Sequence, residues 1–297
     1  MEDKKYELRR QIKSVRWMIF WVVLAQFAVG IAVEAVISFM ENPPHEYIII
    51  ALSELLTIGV PISVYARSQW NSYGMNVKKE FWLNPCKPYL LIIAAVLGIC
   101  SQFVMILLNM PANIIMPTQP SVHTEMNTGE FLFGIIAVVI IPAVLEEFWM
   151  RGIIFSAYNK SNTVAAVVFT AVLFALLHMR FNEILGFLFM GAVASLVLIK
   201  CKSLYAAICY HGFSNLAALV LDGYIVPYYP GYIWVMFGVA LVIFPALMLI
   251  LFKQKNGVKN NKVFKAGGIL ITSFISLPVL LSIAVVIVRY FLVKFTG

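Results

Sequence analysis

The chain has 297 residues, of which 62% are apolar or aromatic and only 12% are charged, against roughly 45–50% and about 25% in a soluble domain. That balance excludes an ordinary soluble enzyme and puts most of the mass in lipid. The formal charge is +8, from 22 Lys and Arg against 14 Asp and Glu, but no basic-aromatic groove or nucleic-acid motif accompanies it, so a nucleic-acid partner is excluded as well.

Nine apolar runs follow one another along the chain, at 17–40, 47–66, 89–110, 131–157, 163–179, 184–199, 204–221, 232–252 and 269–293. A run of about 18 or more apolar residues crosses a bilayer as a helix. The expected fold class is therefore all-α: a polytopic transmembrane helical bundle with nine membrane helices, or eight because the run at 184–199 is short. The first run is too long for the apolar stretch of a signal peptide and no small-residue cleavage site follows it, so it is expected to remain as a helix.

Orientation follows from where the basic residues fall. The amino-terminal stretch holds Lys4, Lys5, Arg9, Arg10, Lys13 and Arg16, and Arg67, Lys78, Lys79 and Lys87 follow the second run. Lys253, Lys255, Lys259, Lys262 and Lys265 follow the eighth run, and Arg151, Lys160, Lys200 and Lys202 bring 19 of the 22 onto alternate connections. Only Arg180, Arg289 and Lys294 lie on the other side. The expectation is an integral, multi-pass protein with a cytoplasmic amino terminus, and the Lys- and Asn-rich loops point to a bacterial cell membrane. An eight-helix count would reverse everything after the miscounted helix.

Pro111, Pro117 and Pro120 argue against a regular helix across 111–130, and 254–265 reads as a solvated basic loop. Cys86, Cys100, Cys201 and Cys209 lack the paired spacing of a zinc site and are expected to be free thiols.

The informative residues are the polar ones within apolar runs, because an unpaired charge at membrane depth costs several kcal/mol, roughly, unless it lines a wet cavity. They are Glu34, Glu54, Glu146, Glu147, Arg151, His178, His211 and Asn215. Glu147 and Arg151 stand at i and i+4 with the acid first, the favoured order for a helical ion pair. Glu146 is then left over, about 100° around the helix, with the unpaired buried carboxyl that suits a general base. The same residues also fit a structural ion pair with a snorkelling glutamate. His178 near a helix end reads equally as a hydrogen-bonded core residue. His211 and Asn215 share a helical face, which fits either a catalytic pair or an interhelical hydrogen bond. At about 1.5 Å per residue, Glu146, His178, His211 and Asn215 fall near mid-membrane on three helices, where one cavity can collect them.

At these positions the sequence resembles the CAAX protease and bacteriocin-processing (Abi) proteins, which include the type II CAAX prenyl endopeptidases. Their pattern of three motifs is present in order: EEFWMR at Glu146 to Arg151, FALLH at Phe174 to His178 and HGFSN at His211 to Asn215. The resemblance divides the chain into amino-terminal membrane helices and outer loop (1–130), a catalytic core (131–222) and carboxy-terminal membrane helices (223–297). It implies hydrolysis of a peptide bond in a membrane-associated protein or peptide by an activated water. Glu146 would take the water's proton, His178 would position the water, and His211 and Asn215 would donate hydrogen bonds to the oxyanion. Glu147 and Arg151 would be the supporting pair.

Members of this family are often described as metalloproteases. The absence of HExxH, and the competition of Arg151 for one glutamate, favour a metal-free site, with zinc as the alternative cofactor. Two other functions remain open: a bacteriocin-immunity or peptide-binding membrane protein without catalysis, and an ion-coupled transporter, which would use Glu34 and Glu54. The absence of repeated halves counts against the transporter.

Overall fold

The computed structural model describes residues 2–73, 76–115, 127–229, 231–254 and 261–296. All nine apolar runs are helical within it, and among the described residues no strand occurs, only an isolated bridge between Asn162 and Lys262. The helices are Glu2–Ser38, Glu46–Gln69, Pro88–Ile115, Thr128–Asn159, Thr163–Leu177, Phe181–Cys201, Leu204–Ile225 and Tyr232–Phe252, followed by a ninth in two limbs, Ala266–Phe274 and Leu277–Leu292, bent by 57°. Below they are numbered first to ninth. Seven are long and apolar enough to cross a bilayer singly, and the bent pair makes an eighth.

The expected short helix is a different one. The sixth has 21 residues, whereas the fifth has 15, about 22 Å of rise against a core about 30 Å thick. Asn162 starts the fifth helix by accepting a hydrogen bond from the Ala165 amide at 3.0 Å. His178 ends it, followed by Met179 in the left-handed conformation at φ 53°. The proline-rich connection also departs from expectation: the third helix continues through Pro111 to Ile115. Proline is tolerated in membrane helices, where neighbouring helices and side chains satisfy the carbonyl it frees. Pro117 and Pro120 lie outside the described residues.

Packing is closest where side chains are missing. A β-carbon on Gly98 of the third helix would stand 2.1 Å from the Tyr210 carbonyl oxygen of the seventh, so those backbones touch only because the residue is glycine. A β-carbon on Gly191 of the sixth helix would meet the Ala171 Cα of the fifth at 2.9 Å. These two crossings set the seventh and sixth helices against the rest. One apolar core then runs from Ile12 through Phe155 and Tyr210 to Val286, and it draws on all three sequence stretches.

The connections sort to two ends. At one, the Thr163 amide donates to the Asn261 carbonyl at 3.2 Å, Lys160 pairs with Glu80, Asn84 Nδ2 donates to the Lys202 carbonyl at 2.9 Å, and the Arg9 guanidinium lies 5.5 Å above the Phe264 ring. At the other, Asn182 Nδ2 donates to Asn113 Oδ1 at 2.8 Å and Arg180 pairs with Glu183. Lys255 and Lys259 lie outside the described residues.

Candidate active site

The fourth, fifth and seventh helices bring the three motifs together. Glu147 is fully buried, and its Oε1 accepts from Arg151 Nη1 at 2.8 Å and from His211 Nδ1 at 2.9 Å. The i, i+4 bond within the fourth helix is the one the spacing predicts. The bond to His211 joins residues 64 positions apart and has no counterpart in the sequence pattern.

Arg151 is equally buried and reaches further. Its Nη2 donates to the Gly191 carbonyl at 2.8 Å, and its guanidinium carbon lies 5.1 Å from the centre of the Phe174 ring. One cation is thus met by a carboxylate, a backbone carbonyl and an aromatic face, which offsets much of the cost of removing it from water. The helix changes character at this point: residues Phe148–Phe155 are π-helical, a geometry that recurs at functional sites.

Phe174 is the hub of the site. Its ring contacts His178 at 4.5 Å and His211 at 5.6 Å between centroids, and its carbonyl oxygen lies 2.8 Å from His178 Nδ1. A carbonyl only accepts, so Nδ1 carries the proton and Nε2 offers a lone pair. The imidazole also stacks on Phe187 at 3.9 Å, so the ring has a defined plane. The motif reading named Phe174 without giving it a task.

Glu146 differs from its neighbour. It is half-buried, and no hydrogen bond engages its carboxyl among the described residues. The charges acting on it come from Glu54, Glu147 and Arg151. Glu54, on the second helix, has a buried Oε2 without a hydrogen-bond partner, and that helix packs beside the glutamate pair through Gly59 against Leu145. Sequence reading identified Glu54 as a misplaced acid but did not join it to Glu146. The second helix lies outside the motifs, and an acid inside an apolar run is the one signal that was available. Glu34, by contrast, is exposed on the first helix.

Asn215 Nδ2 donates to the Val138 carbonyl of the fourth helix at 3.1 Å, which leaves its second N–H for another acceptor. Just beside these residues, an apolar cleft of about 190 Å3 lies between the fourth and seventh helices, lined among others by Val139, Ala143, Ile208, Gly212 and Leu216.

Among the described residues no three His, Cys, Asp or Glu side chains stand together as a metal-ligand set.

A family model described as type II CAAX prenyl endopeptidase Rce1-like matches residues 128–217, somewhat under a third of the chain. The match spans the whole of the three motifs, so the resemblance to the CAAX protease and bacteriocin-processing proteins holds over the segment that carries the site. No curated protein matches the chain. No solved structure matches it either.

Proposed function

Because its membrane-embedded segment carries the pattern of the type II CAAX prenyl endopeptidases, we propose that the protein is an intramembrane endopeptidase in which Glu146 activates water. The observation that carries this reading is the unequal pair of glutamates. Glu147, Arg151 and His211 neutralise one another in a buried network, while Glu146 is open on one side and has no hydrogen bond of its own. Neutralising the neighbours leaves one carboxylate free for chemistry.

In this reading Glu146 accepts a proton as the water oxygen attacks the scissile carbonyl carbon. His178 Nε2 accepts a hydrogen bond from the same water and so fixes its direction. The carbonyl becomes a tetrahedral oxyanion, toward which Asn215 offers its remaining N–H. His211 adds a donor there when Nε2 as well as Nδ1 carries a proton. The C–N bond then breaks, and the proton held by Glu146 passes to the leaving amine. Glu54 places a second carboxyl within electrostatic reach of Glu146, able to take up the water's other proton, which the product's new carboxyl releases. The apolar cleft beside Gly212 suits a substrate that arrives through lipid, and its partners are then the bilayer and a membrane-associated peptide.

The test uses the purified protein in liposomes with a quenched fluorogenic peptide ending in a farnesylated CAAX tail, and the same peptide unprenylated. Glu146→Gln keeps volume and polarity, so the variant should fold and bind peptide while cleavage falls about 100-fold or more. Cleavage at the wild-type rate by this variant would remove Glu146 from the mechanism. Retained binding with no cleavage by the wild type, for either peptide, would favour the peptide-binding role.

A further inference from the structure

The first helix presents two different charged faces at the basic end of the bundle. Glu7, Arg10 and Gln11 face a pocket shared with Glu80 and Lys160, where acids and bases are mixed. Arg9, Ile12, Lys13 and Arg16, spaced i, i+3, i+4 and i+7, line a separate cleft of about 620 Å3 whose other wall includes Phe264, Lys265 and Ile269. No carboxylate lines this second cleft. Among the described residues, none of its four cations has a carboxylate within 4 Å.

Four converging positive charges without a counter-charge repel one another unless an anion joins them. Two of the four cations are also held in place. Arg16 donates to Tyr158 Oη at 3.3 Å and to Ser273 Oγ at 3.1 Å, and Arg9 rests over the Phe264 ring. Between them the floor is apolar, with Ile12 and Ile269 both buried. The short limb Ala266–Phe274, which forms the far wall, begins without a side-chain cap, so its first amides add to the positive field.

Position along the membrane normal selects the kind of anion. The apolar run of the first helix begins at Trp17, and the stretch from Arg16 back to Arg9 rises about 10 Å from that boundary. The headgroup layer beside a hydrocarbon core is roughly 5–8 Å thick, so Arg16 and Lys13 stand within it and Arg9 just beyond it. A soluble anion would be met by the cations alone, whereas a phospholipid meets the cations with its phosphate and the apolar floor with its chains. We propose that this cleft binds the phosphate headgroup of an anionic phospholipid, whose acyl chains start from the gap between the first helix and the limb Ala266–Phe274. The lipid then bridges the amino-terminal and carboxy-terminal helices at the end away from the candidate active site.

The experiment measures lipid binding by the full-length protein in neutral detergent, by native mass spectrometry and by the shift in thermal unfolding. Added phosphatidylglycerol should stay bound and raise the unfolding temperature, while phosphatidylcholine and millimolar inorganic phosphate should not. The triple variant Arg9→Gln, Lys13→Gln, Lys265→Gln should lose at least about 10-fold in phosphatidylglycerol affinity. The variant Lys78→Gln, Lys79→Gln, Lys253→Gln, which removes the same charge elsewhere at this end, should bind as the wild type does. Lys13→Gln with Lys265→Gln, both exposed, serves if the triple variant does not fold, and it should show a smaller loss in the same direction. Equal binding by the cleft variants and the wild type, equal stabilisation by phosphatidylcholine, or full stabilisation by inorganic phosphate alone would overturn the proposal.

Discussion

Glu146 and Glu147 are adjacent in sequence and meet opposite environments, because successive helical residues point about 100° apart. One faces Arg151 and His211 inside the bundle; the other is only half-buried and within electrostatic reach of Glu54. The EExxxR spacing makes the ion pair legible from the chain alone, and the leftover carboxyl with it. It does not reveal that His211 closes the network, since a contact across 64 residues depends on how two helices dock. A prediction separates the two glutamates. Glu147→Gln strands Arg151 as a buried, unpaired cation, at a cost of roughly 3–5 kcal/mol, so its signature should be a lower unfolding temperature and lower yield. Adding Arg151→Met should restore much of that loss. Glu146→Gln, whose carboxyl is outside the network, should unfold close to the wild-type temperature. Thermal melts of the three variants check this, and equal destabilisation by the two single glutamate changes would contradict the arrangement.

At the scale of elements, hydropathy placed all nine helices, took the sixth for the short one and stopped the third before Pro111. The fifth helix, not the sixth, is the short one: it stops at His178, beyond which Met179 is followed by Arg180. The left-handed Met179 and the bond from His178 to the Phe174 carbonyl end it. The third helix runs through Pro111 because a membrane bundle can absorb a freed carbonyl that a soluble helix would lose to water. Helix crossings were not legible at all: Gly98 and Gly191 look like any other glycine in an apolar run, yet each marks a backbone contact. Gly98→Ala should therefore cost about 1–3 kcal/mol by pushing the seventh helix away, and with it His211. Gly238→Ala is the control, since a β-carbon there meets nothing within 4 Å. Equal unfolding temperatures for the two variants would mean that the crossing at Gly98 relaxes freely.

For the whole molecule, the bundle gathers the connections around Glu80, Lys160, Lys202 and Phe264 at one end, as an alternating distribution of Lys and Arg requires. If this end is cytoplasmic, single cysteines introduced near Lys79 and Lys202 in a cysteine-free background should be protected from an impermeant thiol reagent in intact cells. Cysteines near His45 and Tyr228, toward the other end, should react. Reaction at Lys79 and Lys202 with protection at His45 and Tyr228 would invert the orientation.

Hydropathy, charge alternation and motif spacing are local properties, readable residue by residue, and they suffice for a helical membrane protein, its nine helical segments, the Glu147–Arg151 pair and the family resemblance. Tertiary structure alone decided that Glu147 binds His211, that Phe174 links both histidines, that the charge of Glu54 acts on Glu146, and that four cations of the first and ninth helices meet around one cleft. Each of these joins residues on different helices. Within lipid every helix face is apolar enough to pack in several ways, so small residues and buried polar partners choose among them, and that choice exists only once the helices are side by side.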